Sequence, residues 1–242
     1  MLKLLRKVWA VYGTLVFFIQ LLIWTPITTV AFLLFGRRAE KVIIWMGHHG
    51  IAPLTLLLSG VLRRQHGREV LQGKGPFVIV SNHRSFLDIL INAAAYPGVY
   101  KFLSKKEMTK IPVWGLTVRR LCILVDRKSP ESRAESVERM RQALQCGFSI
   151  LLYPEGTRNR TEQPLTDFYD GAFRLAAETG FPMAVMTLND PRKDNDPRVG
   201  LDLSPGLVHV YWDVIEGTAD RKPEEIKEMA REMMLSHLAP SK

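Results

Sequence analysis

The chain has 242 residues, enough for one sizeable domain and an accessory segment, and 47% of them are hydrophobic. Lys and Arg number 33 against 24 Asp and Glu, a formal net charge of +9 that suits nucleic acid, an anionic membrane surface or a phosphorylated substrate. No zinc-finger spacing, helix-turn-helix pattern or RNA-binding signature accompanies the charge, so nucleic acid is excluded as the expected partner.

The first sixty positions hold a disproportionate share of the apolar residues. Val8–Phe35 carries no formal charge over 28 positions, more than the roughly 20 that a spanning helix needs. Thr25-Pro26 interrupts it, and proline cannot donate to a helix ladder. Lys3, Arg6 and Lys7 precede the run, and Arg37, Arg38 and Lys41 follow it. Basic residues favour the cytoplasmic side, so this symmetry gives a single crossing no orientation. A hairpin bent at the proline and dipping into one leaflet is the expected arrangement. The run is too long for a secretory signal peptide.

A second apolar stretch, 42–62, contains His48-His49-Gly50 and Pro53 and reads as a buried or interfacial helix. Adjacent helical histidines point about 100° apart and share a metal poorly, so this pair is expected at the interface. Residues 1–62 are thus expected to form a membrane-associated helical segment, and no metal site is expected anywhere in the chain.

From Arg68 onward short apolar runs alternate with helical patterns. Residues 77–80, 150–153, 183–188 and 207–212 read as strands. Residues 85–95, Pro130–Gln145 and Gly171–Thr179 read as helices. Pro223 opens a last helix with Ile226, Met229, Ala230, Met233 and Met234 on one face. The expected fold class is α/β: a layered domain, residues 63–242, with a largely parallel central sheet flanked by helices. Segment 189–200, rich in Asp, Pro, Arg and Lys, reads as an exposed loop. Cys122 and Cys146 lie in apolar stretches without metal-ligand spacing, and both are expected buried and reduced, which points to the cytoplasmic side.

Three short patterns carry chemistry. Ser81-Asn82-His83-Arg84-Ser85-Phe86-Leu87-Asp88 follows a predicted strand, with Ser85 and Asp88 at the spacing of a helix-capping pair. His83 then sits in a strand-to-helix turn, where α/β folds place their sites. Asp88, in the first helical turn, can hold one imidazole nitrogen so that the other accepts a hydroxyl proton. Taken alone the spacing is weak, because Asp88 also reads as a plain capping acid. The residues five positions after His48, His49, His66, His209 and His237 are Pro, Leu, Leu, Val and Lys. The second pattern is Tyr153-Pro154-Glu155-Gly156-Thr157-Arg158, where glycine permits close backbone approach and arginine presents a planar fork to phosphate. The third is Val125-Asp126-Arg127, ending a segment, 101–128, with eight basic and two acidic residues. It reads as a solvated face, a patch for anionic lipid or a rim that collects a phosphorylated substrate.

Taken in order, these three motifs resemble the glycerolipid acyltransferase family, in its bacterial 1-acylglycerol-3-phosphate acyltransferase branch, over residues 77–188. The resemblance implies His83 as general base and Asp88 as its orienting acid. It implies Glu155, Gly156, Thr157 and Arg158 around the acceptor's glycerol phosphate, with Arg158 on the phosphate, assisted by Arg127 and Lys105. Pro182 matches a fourth, apolar motif, and the resemblance also implies that the N-terminal segment is a membrane helix pair. The implied reaction passes an acyl group from acyl-CoA or acyl carrier protein to the sn-2 hydroxyl of 1-acylglycerol-3-phosphate, forming phosphatidic acid at the cytoplasmic face of the inner membrane, without a cofactor. Backbone amides near His83 are the expected oxyanion donors. The sequence departs from the family at Phe168-Tyr169-Asp170-Gly171, with an acid where a base is common, which opens the acceptor's head group. The alternatives are another lyso-lipid acceptor, such as lyso-ornithine lipid, a lipid hydrolase, or a non-catalytic protein that binds anionic lipid.

Overall fold

The computed structural model describes residues 2–111, 114–126, 128–190 and 205–238. The strands are β1 Val61–His66, β2 Val78–Ser81, β3 Tyr100–Lys105, β4 Ile123–Val125, β5 Ser149–Leu152, β6 Met183–Asn189 and β7 Gly206–Ile215. The helices are α1 Leu2–Phe35, α2 Glu40–Met46, α3 Ala52–Leu58, α4 Leu87–Ala95, α5 Trp114–Leu121, α6 Pro130–Gln145, α7 Gly171–Thr179 and α8 Pro223–Leu238. The seven strands form one sheet in the order β1-β7-β6-β2-β5-β3-β4. β6, β2, β5, β3 and β4 run parallel; β7 runs against β6, and β1 runs parallel to β7.

The sheet is buried on both faces, as a parallel sheet requires. Alternation along each strand sends successive side chains to opposite faces. Val78, Val80, Ile150, Met183 and Val185 meet α6, α7 and α8 through Met140, Leu144, Phe173, Ile226, Ala230 and Met234. Phe77, Ile79, Leu151, Ala184 and Met186 meet α3 and α4 through Leu56, Leu87, Ile91 and Ala94. The expected apolar stripe of α8 is the face that packs. Ser129 starts α6 by accepting a bond from Ser132 N at 3.0 Å, with Pro130 at the first helical position.

α1 is continuous through Pro26, so the expected fold-back at Thr25-Pro26 does not occur. Proline at 26 removes one ladder bond, the one to the Leu22 carbonyl, and the turns on either side of it hold the helix. The chain turns instead at Gly36–Ala39. The helix pair is therefore α1 and the segment Glu40–Leu58, in which α2 and α3 join through a π turn at Gly47–Ile51. Both are long and apolar enough to cross a membrane. α1 leaves Val11, Leu15, Phe18, Ile19, Leu22 and Ile23 exposed.

Polar contacts tie the pair to itself and to the domain. Gln20 Nε2 donates to Thr55 Oγ1 at 2.9 Å, Trp9 Nε1 donates to Ser59 O at 3.0 Å, and Lys101 pairs with Glu40 at 2.6 Å. His48 is not interfacial: it is buried with its ring 4.3 Å from that of Tyr100. β1 begins at Val61, two residues ahead of the expected domain boundary, because its pairing with β7 captures the end of the second apolar stretch. Cys122 and Cys146 are both free, but Cys146 is exposed, since it ends α6 in the turn before β5 instead of entering the core.

Candidate active site

β2 ends at Ser81 and the chain leaves the sheet edge through residues 82–86 before α4 begins. Asn82, only 2% exposed, fixes that exit. Its amide donates to Leu188 O at 2.9 Å and accepts from Leu188 N at 2.8 Å, one side-chain rung binding the end of β2 to β6.

One oxygen of Asp88 then organises the turn. Oδ2 accepts from His83 Nδ1 at 2.9 Å, Arg84 N at 2.6 Å and Ser85 N at 2.8 Å. Ser85 Oγ accepts from Leu87 N at 3.2 Å, so Ser85 and Asp88 do act as a capping pair. The N-terminus of α4 favours the carboxylate charge. Two main-chain donors hold Asp88 independently of the imidazole. Nδ1 carries its hydrogen toward Asp88, which leaves the lone pair of Nε2 to accept a proton.

One further contact fixes the ring. It stacks on Tyr153, 3.9 Å between centroids and 15° between planes. Tyr153 in turn accepts a bond from Asn92 Nδ2 at 3.0 Å. Burial, and then the Asp88 charge, push the Tyr153 phenol well above its ordinary range, so it stays neutral beneath the imidazole.

Glu155 is turned inward and is 3% exposed. Oε1 accepts from His83 N at 2.9 Å, while Oε2 accepts from Thr166 N and Thr166 Oγ1, each at 2.9 Å. Its place is beneath the His83 turn. The loop beyond β5 is clipped to the same turn: Asn159 N donates to His83 O at 2.7 Å, and Arg84 donates to Thr161 O at 3.0 Å. Replacing Glu155 by glutamine sets an amide NH₂ against either the His83 or the Thr166 donor. The expected cost is about 2 kcal/mol, read as a melting temperature lower by about 4–8 °C.

The amides of His83, Arg84 and Ser85 are each committed to a carboxylate. Of the backbone amides near His83, these three are thus already engaged.

The parallel ends of β2, β5, β3 and β4 share the edge that holds His83. Gly156, with φ +69°, lies against the Tyr169 ring; a Cβ there would come within 2.6 Å of it. Thr157 is exposed, and Arg158 is half-buried with its guanidinium 4.1 Å from the centre of the Phe86 ring. Desolvation, and then Arg160, lower the Arg158 guanidinium from its ordinary value, while the Asp88 charge pulls the other way. Lys105 is exposed as the last residue of β3. Arg127 lies outside the described residues, as does most of segment 189–200. Pro182 is not brought to this edge: it precedes β6, and its carbonyl accepts from Val78 N at 3.1 Å at the opposite end of the sheet. Asp170, the acid at a position where a base is common, is paired with Lys227 at 2.9 Å.

Asn82, Phe86, Tyr153 and Thr166 were given no role from the sequence. Their partners lie across the sheet edge, and no local pattern announces such contacts. Among the described residues, no group of three or more His, Cys, Asp or Glu side chains is placed to hold a metal ion.

A model of the acyltransferase family matches residues 63–188. A chloroplastic 1-acyl-sn-glycerol-3-phosphate acyltransferase of Brassica napus, BAT2, is 38% identical over 161 residues, 64% of this chain and 45% of its own length. A probable 1-acyl-sn-glycerol-3-phosphate acyltransferase of Mycoplasma pneumoniae is 31% identical over 48% of this chain and 45% of its own length. The chain thus spans less than half the length of these curated relatives. The crystal structure of the 1-acyl-sn-glycerophosphate acyltransferase PlsC from Thermotoga maritima superposes with a TM-score of 0.78, at 19% identity, over 98% of this chain and 100% of that one. It shares the fold, a mostly parallel sheet flanked by helices with apolar helices at the N-terminus.

Proposed function

The chain belongs to the acyltransferase family, and on that premise we propose that it transfers a fatty acyl group from an acyl thioester to the sn-2 hydroxyl of 1-acylglycerol 3-phosphate, forming phosphatidic acid. The observation that carries this reading is the 2.9 Å contact between His83 Nδ1 and Asp88 Oδ2. It leaves Nε2 as a proton acceptor on a side chain that is only 12% exposed.

In the proposed step, Nε2 takes the hydroxyl proton while the acceptor oxygen attacks the thioester carbonyl. The C–S bond then breaks, and the thiolate leaves with the proton from Nε2. Asp88 stabilises the imidazolium between the two transfers. General base help of this kind gives about 10²–10⁴-fold, and holding two lipids in line supplies much of the remainder. In this reading the acceptor's phosphate sits on Arg158, with Gly156, Thr157 and Lys105 around it, and Arg127, outside the described residues, keeps the assisting role expected from the sequence. Glu155 shapes the pocket from behind, by holding the main chain of His83. The donor is acyl-CoA or acyl carrier protein. The exposed apolar surface of α1 supports seating on a membrane, and we place the catalytic domain on the cytoplasmic face of the inner membrane.

The test crosses lysophosphatidate, lyso-ornithine lipid and lysophosphatidylcholine with both thioester donors on purified full-length protein. Phosphatidic acid is the expected main product. Product from another lyso-lipid alone, free fatty acid without acceptor, or no turnover with any pair sinks the reading.

A further inference from the structure

Phe86 occupies a position that core packing does not explain. It stands three residues after His83, at the N-terminal boundary of α4, and keeps 39% of its surface exposed. What covers it is a cation from another part of the chain, Arg158, with Cζ 4.1 Å from the ring centre. Among the described residues, the Arg158 guanidinium makes no hydrogen bond or ion pair. An aromatic face attracts a guanidinium lying over it. With no such partner among the described residues, its N–H donors are left for an anion, and paired guanidinium N–H groups fit phosphate oxygens.

We propose that Phe86 is a positioning residue: its ring docks Arg158 so that the guanidinium edge meets the phosphate monoester of the acceptor. This rests on the acceptor reading above and adds a mechanism to it. One short segment, residues 83–88, then orients the base through Asp88 and the phosphate clamp through Phe86. Head-group capture and hydroxyl activation thereby share one rigid frame. A lysine at 158 would lack the planar group that stacks.

The experiment is steady-state kinetics of full-length Phe86→Leu, Phe86→Trp, Arg158→Ala and the Phe86→Leu/Arg158→Ala double variant, varying lysophosphatidate and the acyl donor separately. Leucine keeps apolar bulk without an aromatic face. Phe86→Leu is expected to raise the lysophosphatidate KM about tenfold, leave the donor KM unchanged and keep kcat within about twofold. Phe86→Trp is expected to restore the KM, and the double variant to lose nothing beyond Arg158→Ala alone. The proposal is overturned by an unchanged lysophosphatidate KM in Phe86→Leu, by an equal rise in both KM values, by no rescue from tryptophan, or by additive losses in the double variant. A wild type that makes no phosphatidic acid removes the acceptor reading as well. A wild type that makes it, with Phe86→Leu indistinguishable, removes this inference alone.

Discussion

Replacing His83 by alanine is expected to lower kcat by about 10³-fold while binding to lipid vesicles survives. The separation follows from how the turn is built. Glu155 binds the main-chain N–H of His83, and Asp88 binds the N–H groups of Arg84 and Ser85, none of which changes when the imidazole is removed. Asn82 still holds the exit from β2 through Leu188. The variant therefore loses the proton acceptor and the stack on Tyr153 but keeps the frame. The measurement is turnover of lysophosphatidate beside vesicle flotation of the same preparation. Turnover above about a tenth of wild type leaves His83 without the role of base. Vesicle binding that persists with no wild-type turnover at all favours a non-catalytic lipid-binding protein.

Asp88→Asn is the second variant with a large expected effect, and it separates charge from geometry. Two main-chain N–H groups demand an acceptor where Oδ2 now stands, so the amide oxygen takes that place and its NH₂ turns away. His83 Nδ1 still finds an acceptor, and the reactive tautomer is kept. What is lost is the full negative charge beside the imidazolium that forms during transfer. A kcat lower by about 10²-fold is expected, with both KM values near wild type. Asp88→Ala removes the acceptor as well and leaves two main-chain donors without a partner, at a further cost of about 2 kcal/mol in stability. Equal activities of the asparagine and wild-type proteins would refute the electrostatic part of the mechanism.

How far these residues could be read in advance depended on how local their signals are. α6 and α7 keep the bounds expected from the sequence, because a proline, a capping serine and a closing glycine mark their ends within a few residues. β2 and β6 announced themselves as unbroken apolar runs, since a central parallel strand is buried on both faces. β1, β3 and β4 were not legible. β1 carries Arg63 and Arg64, β3 carries Lys101 and Lys105, and β4 is three residues long. β1 and β4 are the two edges of the sheet, where one side of the strand meets solvent and charge is tolerated. The bend expected at Pro26 failed for a related reason. A proline reads as a break in isolation, while a long helix with partners on either side tolerates one missing bond.

The sequence by itself determined the alternation of helix and strand, the apolar N-terminal pair and the local geometry of His83 with Asp88, all of which act over a few residues along one chain segment. Only the tertiary structure decided that Glu155 braces the His83 turn, that Tyr153 underlies the imidazole and that Arg158 lies over Phe86. These partners are 70 or more residues apart. They meet because neighbouring parallel strands end at one edge, and strand order is set by the packing of two buried faces, which no single stretch of sequence records.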